Sequence, residues 1–208
     1  GGAVVTAVAT NTGRGSTGLR GTATATSAAD GSFTIANLPA GTYRVCANAP
    51  GTDLLDSCRW SLPVAVTVAA GQTANTNLIL SRGHKLRIRL DDPTGVLNAH
   101  SGKTRGAHVL AGVWTSNGLF HPAQPISKGN KGSDLEVLVP FNSPLRVSVS
   151  SGFFNLKDDK GANIDQKGTS VPVQFAQPAN PGGANAPTQP VTSTSSMTFV
   201  VADVRKKP

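Results

Sequence analysis

The chain has 208 residues, which is long enough for two domains that each bury a core. Charged residues make up only 14%, and the chain contains 23 Gly and 14 Pro, a composition typical of many short strands joined by turns. The net charge is +8, but residues 1–82 carry five basic and three acidic groups and residues 83–208 carry fourteen and eight, so the excess is spread over many loops. With 5% aromatic residues and no base-stacking motif, nucleic-acid binding is excluded as an interpretation. A diffuse positive field suits an acidic polysaccharide or an anionic surface.

Short alternating segments recur through the first 82 residues. Asp30-Gly31 forms a predicted tight turn, after which Phe33 and Ile35 lie on one side of a short strand. Turn residues separate further segments with the period of two that strands require. The other predicted strands are 3–10, 20–27, 43–49, 63–68 and 74–80.

The two cysteines, Cys46 and Cys58, flank a loop rich in Pro, Gly and Asp. If 43–49 is a strand and the chain returns beside it at 58, their Cα atoms come within disulfide reach. Two unpaired buried thiols are the alternative. We favour the disulfide, which would contribute about 2 to 3 kcal/mol in the chain-entropy model and indicates an oxidising compartment.

From Gly83 the pattern changes, and residues 83–208 are predicted to form a second domain. The segment HKLRIRL places Leu86, Ile88 and Leu90 on one face of a strand and a basic stripe on the other, formed by Lys85, Arg87 and Arg89. A second antiparallel sandwich is expected, with a long loop rich in Pro, Gly, Ser and Thr at 177–196 between two of its strands. Its later strands are predicted at 107–114, 134–139, 144–150, 171–176 and 197–204.

The first domain resembles a known family. DGSF at 30–33, LPAGTY at 38–43 and AAGQ at 69–72 are similar to the turns of the carboxypeptidase regulatory-like domain, a transthyretin-like sandwich related in shape to Cna B-type repeats. The resemblance covers residues 1–82 and implies an all-β fold of two consecutive antiparallel sandwiches. It implies little about function, because such modules accompany enzymes, transporters and surface fibres alike.

Members of this family usually open with a further strand of the form G-x-V-x-D, which is absent before Ala3. A shortened or disordered N-terminus would explain this. Alternatively, a neighbouring copy lends the strand, because an unfilled sheet edge is a template for pairing with another chain. The candidate assembly edge is the first strand present: Ala3, Val4, Val5, Thr6, Ala7 and Val8.

No catalytic, metal or cofactor site is predicted. The sequence has no nucleophile elbow, and none of His84, His100, His108 and His121 stands in a metal-ligand motif. Glu136 is the one glutamate, too few for a Glu pair on opposite sides of a sugar bond. Residues 158–165 offer oxygen ligands, but they lack the spacing of a calcium loop, so an ordinary turn is expected.

Aromatic side chains give a second hypothesis, because flat rings can stack on sugars. Trp60, Phe120 and Phe154 are aromatic candidates, and the predicted ligand contacts are Lys85, Arg87, Arg89, Trp114 and Phe153. Trp114 ends an apolar strand and is expected in the core, whereas one of the adjacent rings Phe153 and Phe154 should face outward.

The sequence is therefore compatible with two functions. The first is a non-catalytic structural or interaction protein of the bacterial surface or extracellular space, which has other copies of itself or surface proteins as partners and assembles through its incomplete first sheet. The second is a carbohydrate-binding accessory module with polysaccharide as the partner. Neither needs a membrane span, and none is expected.

Overall fold

The computed structural model describes residues 1–10, 21–60, 63–165, 167–178 and 194–205. The chain divides into two compact units, Gly1–Gly83 and His84–Pro208. Both are built from strands, and the described residues contain two short helices.

The first unit contains one antiparallel sheet of four strands. These are β1 (Val4–Ala9), β2 (Thr22–Thr26), β3 (Gly41–Asn48) and β4 (Val64–Val68), in the order β2-β1-β3-β4. Alternation decides which face is buried: Val5 and Ala7 of β1 and Tyr43, Val45 and Ala47 of β3 are at most 5% exposed. Strands predicted from this alternation at 3–10, 20–27, 43–49 and 63–68 are confirmed.

Two predicted strands take a different form. Residues 33–38 and 74–80 are not strands, although their alternate apolar side chains Phe33, Ile35, Leu38, Leu78 and Leu80 pack against the buried face of the sheet. The pattern correctly identified the inward face of each segment. What is missing is a partner strand beside them, because a strand exists only where a neighbour completes its hydrogen-bond ladder.

The predicted disulfide between Cys46 and Cys58 is confirmed, with the two Cα atoms 5.0 Å apart. It connects β3 to helix α1 (Ser57–Trp60). Beside it, the Ser57 hydroxyl accepts a hydrogen bond from the Ala47 N–H at 2.7 Å and donates one to the Ala47 carbonyl at 3.0 Å. The helix is therefore joined to β3 by one covalent bond and two hydrogen bonds.

The second unit is a sandwich of two sheets. The four-stranded sheet has the order β13-β10-β6-β7, and the six-stranded sheet has the order β12-β11-β14-β5-β9-β8. One helix, α2 (Val96–His100), lies in the connection after β5. The strands are β5 (Gly83–Asp91), β6 (Leu110–Thr115), β7 (Phe120–Pro122), β8 (Gln124–Gly129), β9 (Gly132–Pro140), β10 (Leu145–Ser150), β11 (Phe154–Asp158), β12 (Asn163–Ile164), β13 (Thr169–Val173) and β14 (Thr194–Val204).

The core of the second unit confirms the predicted pattern of β5, because Leu86, Ile88 and Leu90 are at most 3% exposed. One pairing departs from the expected antiparallel arrangement: β14 runs parallel to β5. Alternation along a strand is the same for either direction of pairing, so the sequence pattern could not distinguish them. The predicted loop at 177–196 lies mostly outside the described residues, and β14 already begins at Thr194.

Candidate interaction surfaces

The first unit has an open cavity of about 820 Å³ over the apolar face of its sheet. We call it the open groove. Its floor is formed by Ala7 of β1, Tyr43 and Val45 of β3 and Val66 and Val68 of β4, and its two walls are residues 31–38 and residues 71–77. The groove thus has an apolar floor, whereas its walls carry polar side chains, among them Thr34 and Asn75.

The walls of the open groove have unused pairing capacity. In the described part of the chain, the backbone groups of residues 33–38 and 73–80 make no hydrogen bond to another backbone group. Their inward side chains hold them in place, since Phe33 and Ile35 on one wall and Leu78 and Leu80 beyond the other pack on the sheet. Extended backbone whose N–H and C=O groups are unpaired is a template for an added strand.

The predicted assembly edge is wrong. It was placed on Ala3, Val4, Val5, Thr6, Ala7 and Val8, but β1 is an interior strand. It pairs with β2 on one side, from Val4 opposite Thr26 to Val8 opposite Thr22, and with β3 on the other. Because both of its edges are paired, β1 offers no free edge for another chain.

The basic stripe of Lys85, Arg87 and Arg89 lies on the outer face of the six-stranded sheet, where carboxylates of β5 and β9 meet it. The Arg87 guanidinium lies 3.1 Å from Glu136, and that of Arg89 lies 2.7 Å from Asp91 and 3.1 Å from Asp134. Hydrogen bonds to Asp91 and Asp134 raise the pKa of Arg89. Arg87 and Arg89 are thus already paired with carboxylates, which weakens the stripe as a contact for an acidic ligand.

The predicted aromatic contacts lie elsewhere. Trp114 is 39% exposed on the outer face of the four-stranded sheet, so its expected place in the core is wrong. Phe153 is half-buried beside His100, with ring centroids 5.5 Å apart, while its neighbour Phe154 is fully buried. Trp114 and the basic stripe therefore occupy opposite outer faces of one sandwich, and the predicted contacts do not form a single surface.

His84 is the most buried histidine among the described residues, with 3% of its surface exposed. It stacks on Phe175 with centroids 4.0 Å apart, meets Phe141 edge-on, and its Nε2 lies 2.7 Å from the Ser195 hydroxyl. Burial lowers the pKa of His84. A histidine beside a serine is a nucleophile–base arrangement, but His84 is only 3% exposed, so substrate cannot reach its ring.

Aspartates near turns have local roles. Asp158 accepts hydrogen bonds from the backbone N–H groups of Lys160 and Ala162, as expected of an ordinary turn. Asp30 accepts hydrogen bonds from the N–H and hydroxyl of Ser32, and these bonds lower its pKa.

Among the described residues, no group of three or more His, Cys, Asp or Glu side chains could hold a metal ion. No described helix is long and apolar enough to cross a membrane.

Comparison with known proteins finds a family model that matches the first unit. A search of curated proteins finds no match to the chain. Among solved structures, GBS52, the minor pilin of the Gram-positive pathogen Streptococcus agalactiae, aligns with 100% of this chain and 86% of its own at 14% identity and a TM-score of 0.36, a likeness too weak to carry an argument. The family model of the carboxypeptidase regulatory-like domain matches residues 1–81. Residues 1–81 are therefore similar to the carboxypeptidase regulatory-like domain.

Proposed function

We propose that this chain is a non-catalytic structural or interaction protein of the bacterial surface or extracellular space, and that it assembles by binding an extended strand of a second molecule in its open groove. A donated strand would lie between residues 33–38 and residues 73–80. Such β-augmentation takes its affinity from main-chain hydrogen bonds and its specificity from alternate side chains.

The observation that carries this proposal is the open groove itself. A cavity of about 820 Å³ with an apolar floor lies between two segments, and within the described residues the backbone groups of 33–38 and 73–80 make no hydrogen bond to other backbone groups. A rounded small molecule would use the floor but leave both walls unpaired. A strand would use all three, because its inward side chains would meet the partly buried Val66 and Val68 while its two edges pair with the walls.

The compartment is supported by chemistry in the same unit. The Cys46–Cys58 disulfide forms and persists in an oxidising environment such as the cell surface or the extracellular space. Assembly by strand donation also suits a surface with few charges, and only 14% of the residues are charged. Single-sign charge blocks would oppose the close approach of identical chains.

A peptide that alternates valine and threonine is a suitable probe of the groove. We expect it to bind the full chain in calorimetry and to shift any assembled material towards monomer in light scattering and electron microscopy. Ile35→Asp should abolish both effects, because it places a carboxylate in the groove wall. Ile79→Asp is the matched control, since Ile79 is 87% exposed and faces away from the groove.

A comparison of the two variants distinguishes a loss of peptide binding at the groove from a general loss of stability. If Ile35→Asp lowers thermal stability, Val66→Phe provides a second test, because Val66 is a partly buried residue of the groove floor and a larger ring there fills the groove without adding charge. Peptide binding that survives in Ile35→Asp and Val66→Phe would contradict the proposal. So would a chain that stays monomeric at every concentration and binds no strand-forming peptide.

A further inference from the structure

The outer face of the four-stranded sheet in the second unit carries an ordered row of side chains. In the strand register, Pro172 of β13 lies opposite Arg146 of β10, Arg146 lies opposite Trp114 of β6, and Trp114 lies opposite Phe120 of β7. Directly opposite residues on one face are in contact distance. Because strands are spaced by about 4.8 Å, this cross-strand row extends over about 14 Å. It is as long as a short oligosaccharide.

The aromatic part of the row is held in a fixed shape. The rings of Trp114 and Phe120 lie with centroids 4.9 Å apart and planes tilted by 47°. Gly112 makes this possible, because a Cβ at that position would lie 2.7 Å from the Phe120 ring and 2.3 Å from the His121 carbonyl. Phe120 therefore packs over Gly112 of β6 and contacts Trp114, which remains 39% exposed.

The charged part of the row differs from the basic stripe. The strands β6, β7, β10 and β13 contain no Asp or Glu. Arg146 is exposed, and its Nε donates a hydrogen bond to the Ser170 hydroxyl at 2.7 Å. Within the described residues no carboxylate pairs with it, whereas Arg87 and Arg89 on the opposite sheet are both paired. Arg146 thus presents a positive charge beside an exposed aromatic ring.

A second row lies beside the first and is polar. Ser170 of β13 is opposite Ser148 of β10, and Ser148 is opposite Gly112. The face therefore combines a flat ring, a guanidinium fork and hydroxyl groups within neighbouring register positions. An aromatic face takes up the apolar side of a sugar ring, and a guanidinium binds a carboxylate with two parallel hydrogen bonds.

We propose that the cross-strand row of Pro172, Arg146, Trp114 and Phe120 is a binding site for a carboxylate-bearing glycan, with a sugar ring stacked on Trp114 and its carboxylate held by Arg146. This site is separate from the open groove of the first unit. The glycan would be a ligand of the second unit alone. If no glycan binds, the proposal that the open groove binds a strand is unaffected. Arg146 has no carboxylate partner among the described residues, and its positive charge is the feature that selects an acidic sugar over a neutral one.

The probes are a uronic-acid oligosaccharide and its neutral counterpart, each titrated into the full chain by calorimetry. We expect binding of the acidic oligosaccharide that weakens with salt, since one ion pair is formed at an exposed site. Trp114→Ala should abolish binding. Arg146→Gln should weaken binding of the acidic oligosaccharide about tenfold and leave that of the neutral one unchanged.

Arg87→Gln is the matched control, because Arg87 is an exposed arginine on the other sheet of the same sandwich. It should bind the acidic oligosaccharide as the unmodified chain does. Equal losses in Arg87→Gln and Arg146→Gln would overturn the proposal, since they would indicate attraction by net charge alone. Absence of binding to both oligosaccharides would also overturn it, as would a concentration-dependent dimer that Trp114→Ala abolishes.

Discussion

Reduction of the disulfide should loosen the first unit without releasing helix α1. Cys46 and Cys58 are 12 residues apart in sequence, and closing a loop of that length is worth about 3 kcal/mol in the chain-entropy model. The two hydrogen bonds between Ser57 and Ala47 survive reduction, and each contributes on the order of 1 kcal/mol. The expected loss of unfolding free energy is therefore about 3 kcal/mol, with α1 still attached to β3.

The chain offers one tryptophan reporter in each unit, Trp60 in the first and Trp114 in the second. In a Trp114→Phe variant, urea unfolding followed by Trp60 fluorescence should shift to lower urea by about 1 to 3 M on reduction. In a Trp60→Phe variant, the transition reported by Trp114 should not move. An unchanged Trp60 transition, or equal shifts in both variants, would refute the assignment of the disulfide's stabilisation to the first unit.

Three further predictions concern the second unit. Gly112→Ala should lower its unfolding free energy by about 1 to 3 kcal/mol, because the new Cβ meets the His121 carbonyl at 2.3 Å, whereas Gly152→Ala, with open space around it, should have little effect in the same denaturation assay. His84 has a pKa below 6.5 in the folded chain, so the unfolded chain takes up a proton first, and stability should fall as the pH drops below about 6.5 in a way that His84→Gln removes. Hydrogen bonds from Ser127 and then Arg89 lower the pKa of Asp134, so Ser127→Ala should raise that pKa in a carboxylate NMR titration, and an unchanged pKa would assign the shift to Arg89 alone.

Alternation was enough to predict most of the first sheet and the buried face of β5. Val5, Ala7, Tyr43 and Val45 all point inward as the period of two requires. The same signal placed Phe33 and Ile35 on the inner side of their segment, but it could not show that the segment lacks a partner. Inward orientation is a local property, whereas pairing depends on which segments meet in the fold.

The candidate site was harder to predict for the same reason. The family pattern predicts an open edge along Ala3 to Val8, and only the strand order shows that β1 is an interior strand. In the second unit, Trp114 ends an apolar strand and was expected inside. Its neighbours Arg146 and Phe120 come from β10 and β7, and no pattern in the sequence brings those three residues into one register row.

Hydrogen exchange of the backbone amides tests the central claim most directly. In the monomeric chain, amides of residues 33–38 and 73–80 should exchange at nearly unprotected rates, while those of β3 should be protected by pairing with β1 and β4. Adding the valine–threonine peptide, or allowing the chain to assemble, should protect both groove walls together. Walls already protected in the monomer, or unchanged by peptide and by assembly, would contradict the account of a groove that binds a strand.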